Sequence, residues 1–199
     1  LNAYGVVYTI GANHNGQCGV SSPELLITPV RLESLATSFT VTQIAAGGSH
    51  SAVVTQCGQL ATFGANDMGQ CGLGADAPLD VRKPRFVKTG SLAEVAQVAC
   101  GDAHTLILDL GARVHACGQG RFGALGLGDG VTQTQHAPCT LSALAAAPIR
   151  MLAAGERHSV ALTFGGGVLA WGWARDGALG LPHSASRSGV AMARPLSGR

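Results

Sequence analysis

The chain has 199 residues, of which 46% are hydrophobic and 12% are charged, and its formal net charge is +2. This composition argues against a disordered chain, which combines low hydrophobicity with high charge, and against a strongly basic nucleic-acid-binding domain. The 29 glycines, about twice the average share, favour tight turns between short buried strands in an all-β fold.

Short apolar runs separated by turn residues follow one another along the chain. In the middle of the sequence they lie at 95–100, 105–109, 113–117 and, after Pro138, 139–141. Their lengths and the turn residues between them predict four strands per unit. A proline ahead of the last run suits an outer edge strand, in which a missing N–H costs little. No apolar run reaches the roughly 18 residues of a transmembrane helix, so we expect no membrane insertion.

Two motifs repeat along the chain with a fixed spacing. The first reads AAGGSHSAVVT at 45–55, ACGDAHTLILD at 99–109 and AAGERHSVALT at 153–163. The second contains three glycines and occurs four times, every 53 or 54 residues. Its glycines are Gly11, Gly64, Gly118 and Gly172; Gly16, Gly69, Gly123 and Gly177; and Gly19, Gly72, Gly126 and Gly180. Units of four antiparallel strands at this period predict a β-propeller.

The positions of the motifs divide the chain into the blades of one partial propeller domain, 1–199. We expect full blades at about 41–90, 95–145 and 149–196, and the last two strands of an earlier blade at 5–32. A partial ring leaves apolar blade faces in water, and the first residue is Leu. We therefore expect that the chain is part of a longer protein or that a partner covers those faces.

Together the motifs resemble the repeat of the regulator of chromosome condensation family, AAGxxHSxxLT followed by GxVxxWGxNxxGQLG. Here they read AAGERHSVALT, GANDMGQCG and GVLAWGWARDGALG, and the resemblance covers essentially the whole chain. Because that family closes rings of seven blades, the resemblance implies that about half a ring is present. It also implies two functions known in the family, nucleotide exchange on a small Ras-like GTPase and attachment to chromatin or RNA.

The six cysteines are Cys18, Cys57, Cys71, Cys100, Cys117 and Cys139. Three disulfides are one alternative, but four of the thiols replace apolar residues at repeat positions, as Cys18 and Cys71 do where another repeat has Leu125. We therefore expect free thiols in a reducing intracellular compartment. No two cysteines have the separation typical of a zinc knuckle or a redox motif.

One histidine occupies the same repeat position in each full blade: His50, His104 and His158. A three-histidine metal site is one alternative, but neighbouring sheets lie about 10 Å apart, whereas zinc needs nitrogens at about 2 Å. A hydrolase triad with Ser51, Ser159 and Asp102 is another, although the chain has no G-x-S-x-G elbow. We expect each histidine to hydrogen-bond a turn, and we expect no catalytic residue, cofactor or metal in the chain.

The residues Gly118, Gly120 and Gly123 spell G-x-G-x-x-G, which binds a nucleotide phosphate where a helix begins at the loop. The following residues, ALGLGDGVTQ, do not favour a helix, so a turn is predicted. Asn13 and Asn66 stand at the Gly120 position in two other repeats. Because asparagine tolerates the left-handed conformation, we expect both to adopt it.

A basic cluster lies before and on the outermost strand of one blade: Arg82, Lys83, Arg85 and Lys88. A solvated edge on which cations block aggregation is one interpretation, and contact with an acidic partner or nucleic acid is the other. No aromatic residues interleave to stack on bases. The segments 20–28, 73–83, 127–137 and 181–194 vary most between repeats, and as loops on a rigid scaffold they are where we expect partner contacts.

The sequence as a whole favours a non-catalytic scaffold for protein–protein interactions, a subunit of a larger complex. Guanine-nucleotide exchange on a small Ras-like GTPase is the first alternative, although the uniform units lack the inserted wedge that this activity uses in the family. A chromatin- or RNA-associated propeller is the second, and a net charge of +2 argues against direct readout of nucleic acid.

Overall fold

A computed structural model describes residues 1–36, 38–88, 94–128, 132–180 and 187–193. Its regular structure is mostly β-strand and forms one two-stranded sheet and three four-stranded sheets. Within each four-stranded sheet the strands are antiparallel neighbours in the order of the sequence. Such a meander is a propeller blade, so the chain is a partial β-propeller.

The half blade contains β1 (Tyr8–Ala12) and β2 (Leu25–Arg31), followed by the one-turn helix α1 (Glu33–Ala36). The first full blade contains β3 (Val41–Ala46), β4 (His50–Thr55), β5 (Leu60–Ala65) and β6 (Asp80–Phe86). The second contains β7 (Val95–Cys100), β8 (His104–Asp109), β9 (Val114–Gly118) and β10 (Gln135–Thr140). The third contains β11 (Ile149–Ala154), β12 (His158–Thr163), β13 (Val168–Gly172) and β14 (Arg187–Ala193).

The blades in the middle of the chain are buried on both faces, and those at its ends are open on one. Every residue of β5, β8 and β9 is buried, because neighbouring blades cover both sides of these strands. The core between the second and third blades includes Leu106, Leu125 and Trp171. In the half blade, by contrast, the β1 side chains Tyr8 and Ile10 are exposed.

Each outer strand carries a bulge opposite the first repeat glycine. On β10 the pairing steps four residues, from Gln135 to Cys139, while β9 advances two, from Gly118 to Ala116. Pro138 lies within this bulge, so β10 begins at Gln135 and the prediction that the proline precedes the strand is wrong. A bulged segment of an edge strand needs no ladder hydrogen bond from the proline nitrogen.

The variable segments are loops only in their first part. Segments 20–28, 73–83 and 127–137 run into β2, β6 and β10, which corrects the prediction that they are loops throughout. The fourth segment, 181–194, lies outside the described residues except for the backbone of β14. The predicted blade ends at 89–90 and 194–196 also lie outside them.

Candidate functional site

A histidine at the start of the second strand of one blade reaches into the next blade. His50 Nε2 lies 2.8 Å from Thr105 Oγ1, and the Thr105 hydroxyl donates to the Gln70 carbonyl at 2.7 Å. Because the hydroxyl proton is committed to Gln70, the hydroxyl accepts from His50 Nε2–H. Nδ1 of His50 is then unprotonated, and within the described residues this buried atom has no hydrogen-bond partner.

The same arrangement joins the second and third blades: a histidine Nε2–H donates to a hydroxyl of the next blade, and that hydroxyl donates to a loop carbonyl. We call it the latch. His104 Nε2 lies 3.0 Å from Ser159 Oγ, and the Ser159 hydroxyl donates to the Ala124 carbonyl at 2.7 Å. A serine nucleophile activated by a base would donate its hydroxyl proton to the histidine. Here the Ser159 hydroxyl proton goes to the carbonyl instead. At the interface with the half blade, the latch consists only of the hydrogen bond from hydroxyl to carbonyl, in which Ser51 donates to the Gln17 carbonyl at 2.8 Å.

The latch histidines are neutral at pH 7. Burial, together with a smaller repulsion from the histidine of the next blade, lowers the pKa of His50 and of His104 to about 4. Across the described part of the chain, no group of three or more His, Cys, Asp or Glu side chains is arranged to hold a metal ion. In this geometry His50 and His104 bind blade to blade through hydroxyls on strands β8 and β12, so the prediction that each histidine hydrogen-bonds a turn is wrong for these two.

All twelve repeat glycines have a positive φ, between 63° and 110°, a region that costs a side chain roughly 1–2 kcal/mol. A Cβ at Gly64 would lie 2.5 Å from the Ser49 carbonyl oxygen and 2.6 Å from His50 Cα. At Gly11, the same repeat position in the half blade, a Cβ would meet nothing within 4 Å. These glycines therefore form turns and bulges, and at Gly64, Gly118 and Gly172 they also admit the close approach of the adjacent strand of the same blade.

The two repeat asparagines hold their loops through their side chains. Asn13 Nδ2 donates to the carbonyls of Val20 and Pro23 at 2.9 and 2.8 Å, and Asn13 Oδ1 accepts from the Cys18 N–H at 3.0 Å. Neither Asn13 nor Asn66 has a positive φ, so the expected left-handed conformation is wrong. Both amides are buried, and the loop carbonyls that they satisfy determine their conformation.

Sequence reasoning missed a buried network at the turn between β8 and β9. Asp109 Oδ2 accepts from Arg113 Nε at 2.9 Å and lies 3.1 Å from His115 Nε2, while His115 Nδ1 lies 3.0 Å from Thr140 Oγ1. Burial by itself raises the pKa of Asp109, but the hydrogen bonds from Arg113 and His115 lower it overall. The order carboxylate, imidazole, hydroxyl is that of a hydrolase triad, but the Asp109 and His115 side chains are fully buried and hold the turn together within one blade.

The predicted basic cluster is divided by the structure. Arg82 Nη2 donates to the His14 carbonyl at 2.8 Å and so ties the first full blade to the half blade. Lys83, Arg85 and Lys88 are exposed. Three of the four cations therefore remain available to a partner.

The loops between the first and second strands and between the third and fourth strands gather on one face, here called the loop face. A cleft of about 670 Å³ lies there. Asp67 and Asp80 line it from the first full blade, Asp102 and Arg121 from the second, and Arg157 from the third. Its charge therefore changes from negative to positive along the blades.

At the positive end, two aromatic rings and three arginines form what we call the arginine–aromatic cluster. Phe122 and Trp173 are stacked, with ring centroids 4.8 Å apart and planes inclined by 12°. The guanidinium carbon of Arg121 lies 4.8 Å from the Phe122 centroid, and that of Arg175 lies 5.7 Å from the Trp173 centroid. Arg157 lies over both rings, at 5.3 and 4.7 Å. Phe122 has a φ of 65°, which is rare for a residue other than glycine.

The six cysteines are free thiols, and four of them, Cys18, Cys71, Cys100 and Cys117, are buried. Burial raises the pKa of Cys71 and of Cys100 to about 12, which suppresses the reactive thiolate. Among the described residues, no helix is both long and apolar enough to span a membrane.

Comparison with known proteins identifies the repeat. The model of the regulator of chromosome condensation (RCC1) repeat matches residues 4–54, 58–108 and 112–162, and a second model of that repeat matches 41–70, 95–124 and 150–178. The crystal structure of human WBSCR16 superposes with a TM-score of 0.87 at 23% identity, covering 97% of this chain and 49% of that one.

Two relatives show similarity over most of the chain. The chain is 32% identical over 180 residues to the Ultraviolet-B receptor UVR8 of Arabidopsis thaliana, covering 90% of the chain and 40% of the relative. It is 34% identical over 172 residues to the Secretion-regulating guanine nucleotide exchange factor of Mus musculus, covering 86% of the chain and 36% of the relative. The chain thus spans well under half the length of either relative. The resemblance noted from the motifs is confirmed, and the chain belongs to the regulator of chromosome condensation (RCC1) repeat family.

Proposed function

We propose that the chain is a non-catalytic scaffold that holds its loop face rigid for binding other proteins within a larger complex. One observation carries this proposal: the repeat histidines and hydroxyls that could do chemistry are used between the blades. His50 and His104 donate to hydroxyls of the next blade, and the hydroxyls of Thr105 and Ser159 donate onward to backbone carbonyls. Groups fixed in this way support packing and are not free to act on a substrate.

The surface that remains free supports a binding role. The loop-face cleft presents carboxylates and guanidinium groups from three blades, and Lys83, Arg85 and Lys88 are exposed on the outer edge of one blade. Charged groups on a rigid scaffold give specificity and speed association. Buried free thiols are consistent with a reducing compartment, which is where we propose that the protein acts.

Guanine-nucleotide exchange on a small Ras-like GTPase is the second candidate. It is supported by the name of the Mus musculus relative, of which the chain covers 36%. Attachment to chromatin or RNA has less support, because Arg82, one of the four predicted cations, is engaged with the His14 carbonyl. Fold similarity alone transfers neither activity.

Native isolation separates these candidates. The protein that contains this chain is purified from its source by an affinity tag, and its mass is measured by mass photometry. We expect a complex in which another protein is present at a fixed ratio. In parallel, the release of fluorescent GDP from a panel of small GTPases is followed with and without the protein, and we expect no acceleration. An isolated protein that forms no complex and accelerates release by about tenfold or more would instead be an exchange factor.

A further inference from the structure

We propose that the arginine–aromatic cluster binds an acidic peptide segment of a partner protein. The inference rests on the proposed scaffold function and names the docking surface and the chemistry of its partner. It starts from an excess of positive charge at one place on the loop face. The guanidinium carbons of Arg121, Arg157 and Arg175 each lie within 6 Å of the centroid of at least one of the two stacked rings.

The charge of the cluster is only partly compensated. Among the described side chains, one ion pair involves an arginine of the cluster: Arg157 Nη2 lies 3.1 Å from Glu156 Oε1. Of the three carboxylates in the same cleft, Asp67 and Asp80 accept hydrogen bonds from neutral amides of Gln70 and Asn15, and Asp102 lies at the side of the second blade without an ion pair among the described residues. Carboxylates supplied by a partner would therefore neutralise the remaining positive charge of the cluster.

The stacking prepares the arginines for carboxylates in particular. A guanidinium group over a ring face has its plane fixed, while its N–H edge stays free to form two parallel hydrogen bonds with a carboxylate. Because Phe122 and Trp173 already restrict the side chains of Arg121, Arg157 and Arg175, less conformational entropy is lost when a ligand binds.

A peptide fits this surface better than a nucleic acid does. Each ring is stacked on the other and has two guanidinium groups near it, so these groups compete with a base for the ring faces. A phosphate backbone that continued along the cleft would also meet the carboxylates of Asp67, Asp80 and Asp102. A peptide can place its carboxylates at the arginines and neutral or basic residues over the rest of the cleft.

The backbone at Phe122 differs from that at the same repeat position in the half blade and the first full blade. At the same repeat position Asn15 and Met68 have no positive φ, whereas Phe122 has a φ of 65°. This conformation costs roughly 1–2 kcal/mol for a residue with a side chain, and here it accompanies a ring stacked on Trp173 and close to Arg121 and Arg157. The cluster is thus a local departure from a repeat that is otherwise regular.

The test selects peptides without assuming their sequence. A display library of random dodecapeptides is panned against the full protein, and an enriched peptide is synthesised with a fluorophore. Its affinity is measured by fluorescence anisotropy beside that of an isostere in which Gln and Asn replace Glu and Asp. We expect acidic peptides to be enriched, and the triple variant Arg121→Gln, Arg157→Gln, Arg175→Gln to weaken their binding by about tenfold or more.

A matched control separates the cluster from net charge. The triple variant Lys83→Gln, Arg85→Gln, Lys88→Gln removes the same charge from the outer edge of the first full blade, and it should change the affinity by less than about twofold. Thermal unfolding of both triple variants verifies that they fold. An equal loss in both would overturn the proposal.

Three further results would also overturn it. They are panning that enriches no acidic residues, tighter binding of a single-stranded oligonucleotide of equal charge, and self-association that only the arginine variant abolishes. The scaffold function is judged separately by native isolation. A native complex whose partner binds independently of the three arginines would refute this surface and leave the scaffold in place.

Discussion

The blade interfaces and the loop face are built from one repeat, yet they use it in opposite ways. The two full interfaces have the same residue types at the latch positions: His50 and His104 each contact a hydroxyl of the next blade. On the loop face a single repeat position holds His14, Asp67, Arg121 and Arg175 in the four repeats. Each interface must solve the same packing problem, whereas a partner contacts the face at one place, so the face is free to vary.

Low pH should destabilise the blade interfaces, which contain the latch histidines, and not the loop face. The pKa of His50 and of His104 is about 4 in the folded chain, against an ordinary value of 6.5. The unfolded chain therefore takes up protons first, and stability that is complete above about pH 6.5 is lost as the pH falls toward 4. Over the whole window we expect a loss of about 3 kcal/mol for each histidine.

Urea unfolding at about pH 7, 5.5 and 4.5 measures this loss. The variant His14→Gln removes an exposed histidine and should leave the profile unchanged. The pKa of Asp109 lies below its ordinary value of 3.8, so its contribution is lost only at lower pH and does not mask the window. A flat profile between pH 6.5 and 4.5 would mean that the latch histidines are not buried as neutral groups.

The two glycines Gly64 and Gly11 compare a full blade with the half blade, in which no described strand pairs with β1 on the side that β4 occupies beside β5. Both have a φ near 110°, but only at Gly64 would a Cβ overlap the backbone of Ser49 and His50. We expect Gly64→Ala to lower the free energy of unfolding by about 4 kcal/mol, and Gly11→Ala by about 1 kcal/mol from the φ alone. Urea unfolding of the two variants gives the difference, and equal losses would show that the close approach at Gly64 relaxes without cost.

The serines of the latch provide a smaller contrast. Ser159→Ala leaves the buried His104 Nε2–H without an acceptor, while the Ala124 carbonyl keeps a hydrogen bond from Trp171 Nε1. The expected loss is about 2 kcal/mol. Ser51→Ala removes one half-buried hydrogen bond to a carbonyl and should lower stability by about 1 kcal/mol. A larger loss for Ser51→Ala would contradict the role of the histidine in the latch.

The spacing of the motifs predicts the strands and turns of the blades well, because residues at the same repeat position have the same structural role in each blade. The glycine sets and the fixed period together predicted four-stranded blades, and each of these glycines has the positive φ of a turn or bulge. Asn13 was misjudged because backbone propensity was weighed without the buried carbonyls that its amide satisfies. The contact of Phe122 with Trp173 was missed because the two residues occupy different positions of neighbouring repeats. Only the geometry between blades brings them together.

The substitution Phe122→Gly tests whether the loop face can be changed without the interfaces. Glycine adopts a φ of 65° freely, which recovers roughly 1–2 kcal/mol of backbone strain, while the lost stacking on Trp173 costs about 0.5–1.5 kcal/mol. The lost apolar burial of the half-buried ring adds about 1 kcal/mol, so the free energy of unfolding should fall by no more than about 2 kcal/mol.

Binding of an acidic peptide should respond differently. Without the Phe122 ring, Arg121 loses the surface that orients its guanidinium group, and we expect the affinity to fall by about fivefold or more. Unfolding and anisotropy on the same preparation compare the two effects. If stability fell by several kcal/mol while affinity stayed constant, the ring would belong to the packing of the blades, and the division between interface and face would fail at this residue.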